Sequence, residues 1–272
     1  MKRVKSFPVR QMSAVLVVLA ATAAAQGGLA APRIPNCDAP ELVCLAAENQ
    51  GASLYVRDRC RYEQRLAMER YEYEKNTQRR GELIAKRQTT VLVEPDNKPD
   101  ETGQIPVLTK VVADTDDKGQ PKEKVDPKAR TGLASGAFLD QIFFPLLPED
   151  IPFLSFEEVQ SETEGERWFK FTPKPDRLPV DQPLAFGIAR LDAKTGEVLT
   201  IEVTGLANLK AVDDRLEKIT AFGAKIDYSQ FAGKYRMPTA ASGSGVSDIS
   251  RFKGYFKFTF EEGKYAAVMK VE

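Results

Sequence analysis

The chain has 272 residues, with 39 basic against 39 acidic side chains and no histidine. Balanced charge without a basic, aromatic-laced patch excludes an electrostatic nucleic-acid binder. The missing imidazole excludes Ser-His-Asp and Cys-His catalysis and most catalytic zinc sites, leaving paired-carboxylate or Ser-Lys chemistry.

Lys2, Arg3, Lys5 and Arg10 precede an uncharged apolar run from Ala14 to Thr22, and Ala23, Ala24 and Ala25 follow it. This is the layout of a secretory signal peptide over residues 1–25, too short to span a bilayer. The expected result is export by the general route, cleavage near Ala25 and a periplasmic protein with no transmembrane span in its mature chain. Cleavage removes four basic residues and leaves a slightly acidic protein.

Residues 26–51 read as a leader and cysteine-containing segment. Cys37, Cys44 and Cys60 are the disulfide candidates; an oxidising compartment predicts one bond and one remaining thiol, with all three pairings open. No Cys-x-x-Cys is present, so neither a redox nor a metal role is expected. Residues 38–69 read as helical, because Arg and Glu recur at i, i+4 spacing in the stretch RDRCRYEQRLAMER.

Period-two alternation begins at Tyr71, and Leu83 to Glu94 is a β-rich run. Residues 95–130 read as an extended or mobile loop with an edge strand near Ile105–Val112. Residues 133–156 are strongly apolar but broken by Pro145, Pro148 and Pro152. They cannot form one helix or one central strand, so a short helix near 136–144 and an irregular apolar stretch are expected.

From Glu157 the pattern is an antiparallel meander, with a turn at Glu164-Gly165 and a hairpin at Leu191–Val198 that places Gly196 for positive φ. A helical turn is expected within 207–215, a strand toward Tyr228 and Phe231, and a loop at 241–245 (ASGSG). Phe252, Gly254, Phe256, Phe258 and Phe260 alternate with polar residues in the clearest strand, followed by a turn at Glu262-Gly263 and a last strand. The adjacent acidic pairs Glu157/Glu158, Asp213/Asp214 and Glu261/Glu262 read as solvated surface. Strand neighbours point to opposite faces, and no enzyme, cofactor or metal is expected.

Taken in order, several segments resemble the periplasmic lipoprotein-carrier (outer-membrane lipoprotein-sorting, LolA/LolB-like) superfamily across about residues 52–272. They are Tyr71-Glu72-Tyr73, Trp168 to Pro173, the Leu191–Glu197 hairpin, Gly233 to Pro238 and the closing aromatic strand. The resemblance implies an α+β, mainly antiparallel fold: a curved half-barrel sheet covered by an N-terminal helix and a Pro-broken apolar lid. It also implies a groove for lipid or lipoprotein acyl chains. Candidate groove residues are Phe138, Ile142, Phe143, Phe144 and Leu147 from the lid, and Phe252, Phe256 and Phe258 from the sheet. The expected function is binding a hydrophobic group, as carrier or sensor. The alternative is a non-catalytic envelope scaffold with a filled core, meeting a protein partner through the charged 57–70 stretch.

Overall fold

A computed structural model describes residues 37–74, 79–96, 98, 106–127, 142–180, 182–211, 214, 216–250 and 252–269. All belong to one unit, 31–272. The proposed signal segment and Phe138 lie outside the described residues.

Helix α1 (Glu41–Arg57) opens directly after Pro40, with Glu41 in its first turn. Val43, Ala46, Ala47, Gln50, Ser53 and Val56 form its buried stripe, at the three- and four-residue spacing of a helix packed on one side. The strands follow as β1 (Cys60–Glu74), β2 (Arg79–Pro95), β3 (Val107–Asp114), β4 (Leu154–Val159), β5 (Glu166–Pro173), β6 (Leu184–Asp192), β7 (Val198–Ala207), β8 (Ile219–Phe231), β9 (Tyr235–Ile249) and β10 (Phe252–Ala267). They make one antiparallel sheet in the order β3-β2-β1-β10-β9-β8-β7-β6-β5-β4. The sheet stays open, a half-barrel with β3 and β4 at its edges.

Side-chain alternation defines its inner face. Gln64, Leu66 and Met68 lie opposite Glu262, Phe260 and Phe258. Phe260, Phe258 and Phe256 lie opposite Ala241, Gly243 and Gly245. Ile226 and Ala224 continue to Ile201 and Val203, and Ala189 meets Phe169. Helix α1 and residues 142–147 pack on this face in one buried cluster with Phe169, Phe171, Ile201, Ile226 and Phe260. A second cluster joins Val56, Cys60, Tyr62, Val91, Val93 and Met237.

Four local expectations are corrected. The chain leaves the helix at Arg57 and is already a strand at Cys60. The charges of this stretch pair across strands instead of along a helix: Glu63 with Lys264 at 2.9 Å, Arg65 with Glu261 at 3.5 Å and Glu69 with Lys86 at 3.2 Å. Cross-strand pairs of this kind stabilise sheets as i, i+4 pairs stabilise helices, so the two patterns look alike in sequence. Residues 241–245 are not a loop but the middle of β9. Their small side chains leave room for aromatic rings of β10: a Cβ on Gly245 would stand 2.4 Å from the Phe256 ring, and one on Gly243 2.7 Å from the Phe258 ring. Gly263 does not turn the chain; β10 is continuous, with a register irregularity against β1 and Lys264 at φ 57°. Glu262 is consequently buried rather than solvated.

Other expectations hold. The Leu191–Val198 hairpin has Gly196 at φ 64°, Gly165 turns into β5 at φ 82°, and β3 is an edge strand. The segment after β3 is tied to the sheet by Asp114, which accepts from Arg87, Thr89 and Lys122. Burial pushes the Asp114 carboxyl up, but these hydrogen bonds outweigh it and hold the group well below the usual carboxylate range. A depressed folded-state value stabilises above the unfolded value of about 3.9 and is lost as pH falls toward the folded value. The urea midpoint of the native protein should therefore fall between pH 5 and pH 2 more than that of Asp114→Asn; equal falls would show that Asp114 carries no such linkage.

Candidate binding face

The inner face divides into a filled half and an aromatic half. In the filled half the Phe143 ring rests against Phe260, with centroids 4.6 Å apart. The Tyr228 hydroxyl donates to the Phe143 carbonyl oxygen, and Gln50 Oε1 accepts from the Leu146 amide at 2.9 Å. Ile142, Phe143, Phe144, Leu146 and Leu147 are all buried. Four lid candidates, Ile142, Phe143, Phe144 and Leu147, are thus core residues that plug this half. Burial pushes the Tyr228 hydroxyl far above its ordinary range, so it stays a neutral donor.

Of the three sheet candidates, Phe258 packs against the filled cluster, and Phe252 and Phe256 lie outside it. Phe252 and Phe256 meet at 5.2 Å, and Phe258 stacks on Phe222 at 5.9 Å. Phe256 is buried, whereas Phe222, Phe252 and Phe258 are half-buried. Phe222 was not among the predicted residues; its place opposite Gly245 on β9 brings it into the patch, and only strand register reveals that. Gly254, the gap in the phenylalanine ladder, sits at φ 127°, where a Cβ would stand 2.2 Å from the Tyr71 carbonyl oxygen. The gap therefore lets β1 approach β10 closely.

A buried ion pair closes the opposite end. Arg57 donates through Nε and Nη2 to the two Glu262 oxygens at 2.6 and 2.8 Å. Gln64 Nε2 donates to Glu262 Oε2 at 2.8 Å, and the Tyr265 hydroxyl donates to Oε1. The Arg57 guanidinium also covers the Tyr62 ring at 5.0 Å. Burial, reinforced by the negative Glu262, pushes the Tyr265 hydroxyl well above its ordinary range. Arg57 is thus a core residue and not part of a solvated partner-binding stretch.

Cys37 and Cys44 form the disulfide, leaving Cys60 buried as a thiol that burial pushes up. The loop closed over a separation of 7 residues constrains the unfolded chain by about 2–3 kcal/mol in the chain-entropy account. A Cys37→Ser/Cys44→Ser variant should lose roughly that much stability in urea titration, and no loss would show that the bond does not brace α1. A cavity of about 530 Å³ lies elsewhere, lined by Glu72, Tyr73, Ile84, Thr220, Val246, Ser247, Asp248, Lys253 and Gly254; none of the groove candidates lines it. Among the described residues no cluster of three or more metal-ligating side chains occurs, and no helix is long and apolar enough to cross a membrane.

The fold and face define an open antiparallel half-barrel with one covered and one aromatic inner half. No protein-family model matches the chain, and no curated protein matches it. Among solved structures, one similar chain is a Mycobacterium avium subs paratuberculosis tesB protein, at 9% identity and a TM-score of 0.17, over 81% of this chain and 85% of that one. A likeness of that size carries no argument about fold or function.

Proposed function

We propose that this protein binds a hydrophobic group, a lipid or the acyl chain of a lipoprotein, on the aromatic half of its inner face, as a periplasmic carrier or sensor. The observation that carries the reading is that Phe222, Phe252 and Phe258 are only partly buried on a face whose other half is filled. Apolar rings left partly accessible on a curved sheet face favour an apolar partner, and each methylene buried there contributes about 0.8 kcal/mol. The signal-like residues 1–25 and the resemblance to lipoprotein carriers fit this reading. The Cys37–Cys44 bond suits an oxidising compartment.

A filled-core envelope scaffold is the second reading, favoured by the complete burial of Phe143, Phe144 and Leu146. Native mass spectrometry of periplasm-purified protein, followed by organic extraction, separates the two. A co-purifying lipid or acylated peptide is the expected result. A bare mass, unchanged after incubation with phospholipid and lipopeptide, contradicts the binding reading.

A further inference from the structure

Resting on the apolar-binding reading above, we infer that the cavity of about 530 Å³ beside the aromatic patch takes the polar head of the same ligand, a zwitterionic phosphoethanolamine group, while its acyl chain lies on the patch. Strand register places the cavity on the face that carries the rings. The β9–β10 ladder runs without a register shift, pairing Phe258 with Gly243, Phe256 with Gly245 and Gly254 with Ser247. Side chains alternate between faces with period two, so Gly254 and Ser247 are the next inner-facing pair after Phe256 and Gly245. Both line the cavity, about 7 Å along the strands from that pair. The cavity also touches Ile84 on β2, Glu72 on β1 and Thr220 on β8. Strands β1, β10 and β9 lie between β2 and β8, so one cavity reaches both only from the side toward which the open half-barrel curves.

The lining sets the chemistry of the head. The volume is that of a small-molecule site, roughly 300–1,000 Å³. Glu72 and Asp248 bring carboxylates, Lys253 an ammonium, and Ser247 and Thr220 hydroxyls. Lys253 Nζ stands 3.4 Å from Asp248 Oδ1, with the two side chains 66% and 34% exposed, so both stay within reach of a ligand. A head of one sign meets this lining badly. A phosphodiester alone would answer Lys253 but stand against Glu72 and Asp248, and an ammonium alone would stand against Lys253. A head that carries both signs sets each against its opposite, and charge-assisted hydrogen bonds are the strong ones. The flanking charges are themselves of both signs: Arg70 and Glu74 on β1, Glu217 and Lys218 ahead of β8, and Lys86 on β2 paired with Glu69. An amphiphile with a zwitterionic head therefore matches a polar cavity that continues an apolar patch.

The test titrates the purified protein, by calorimetry, with dihexanoyl phosphatidylethanolamine, dihexanoyl phosphatidylglycerol and free phosphoethanolamine. A fluorescent fatty-acyl probe without a phosphodiester is titrated in parallel. The ethanolamine lipid should bind about tenfold or more tighter than the glycerol lipid, and Glu72→Gln/Lys253→Gln should bring the two lipids to the same affinity. Both substituted residues are exposed, and surface substitutions of this kind leave a fold standing. Equal binding of the two lipids by the wild type, tighter binding of the glycerol lipid, or a preference that survives in the double variant would each overturn the head assignment. If the acyl probe still binds in those cases, the apolar-binding reading stands without it. Free phosphoethanolamine binding as tightly as the lipid would make the cavity a site for a soluble ligand and overturn its link to the patch. Binding of neither lipid nor probe would overturn both readings.

Discussion

Glu262→Ala should destabilise the protein by about 3–5 kcal/mol, the usual cost of stranding one member of a buried ion pair. The Arg57 side chain is 4% exposed and that of Glu262 0%, so neither can be rescued by water. Removing the carboxylate also deprives Gln64 of its acceptor and leaves the Tyr265 hydroxyl only the Pro238 carbonyl oxygen, and it loosens the point where α1 meets β1 and β10. Replacing both partners, as in Arg57→Met/Glu262→Leu, should cost far less, because desolvation offsets most of the pair's attraction. Urea titrations of the wild type, Arg57→Met, Glu262→Leu and the double variant give the coupling energy. Additive losses would mean that the pair does not act as a unit.

Phe143→Ala should cost about 3–5 kcal/mol as a large-to-small change in a packed core. Phe143 is 2% exposed and is held from two sides, by the Phe260 ring and by Tyr228 on its own carbonyl. The size of the loss distinguishes a permanent plug from a displaceable lid. A loss below about 1 kcal/mol, outside the range for a buried phenylalanine, would mean that the 142–147 segment leaves the sheet readily. The whole inner face would then be available to a ligand.

Much of the sheet was legible because its strands have one buried face. The alternation at Phe252–Phe260 and Leu199–Val203, the Leu191–Val198 hairpin and the β3 edge all follow from local pattern. The failures have one cause: the deciding neighbour is remote in sequence. Cys60–Glu74 carries charges at a spacing that suits a helix, and only its pairing with β2 and β10 makes it a strand. The small residues of β9 resemble a loop until the rings of Phe256 and Phe258 are laid over them. Arg57 and Glu262 stand 205 residues apart, so nothing local marks either as buried. At the candidate site, the apolar residues were recognisable, but their division into a buried plug and a partly buried aromatic patch depends on register and burial.

On the proposed reading, the patch of Phe222, Phe252, Phe256 and Phe258 receives an apolar group. The most direct measurement is a titration of the wild type and Phe258→Asp with a fluorescent fatty-acyl probe, each protein first shown to be folded by circular dichroism. Saturable binding by the wild type, weakened about tenfold or more when a carboxylate stands on the apolar face, is the predicted result. No saturable binding by the wild type, or equal binding by both proteins, would contradict it.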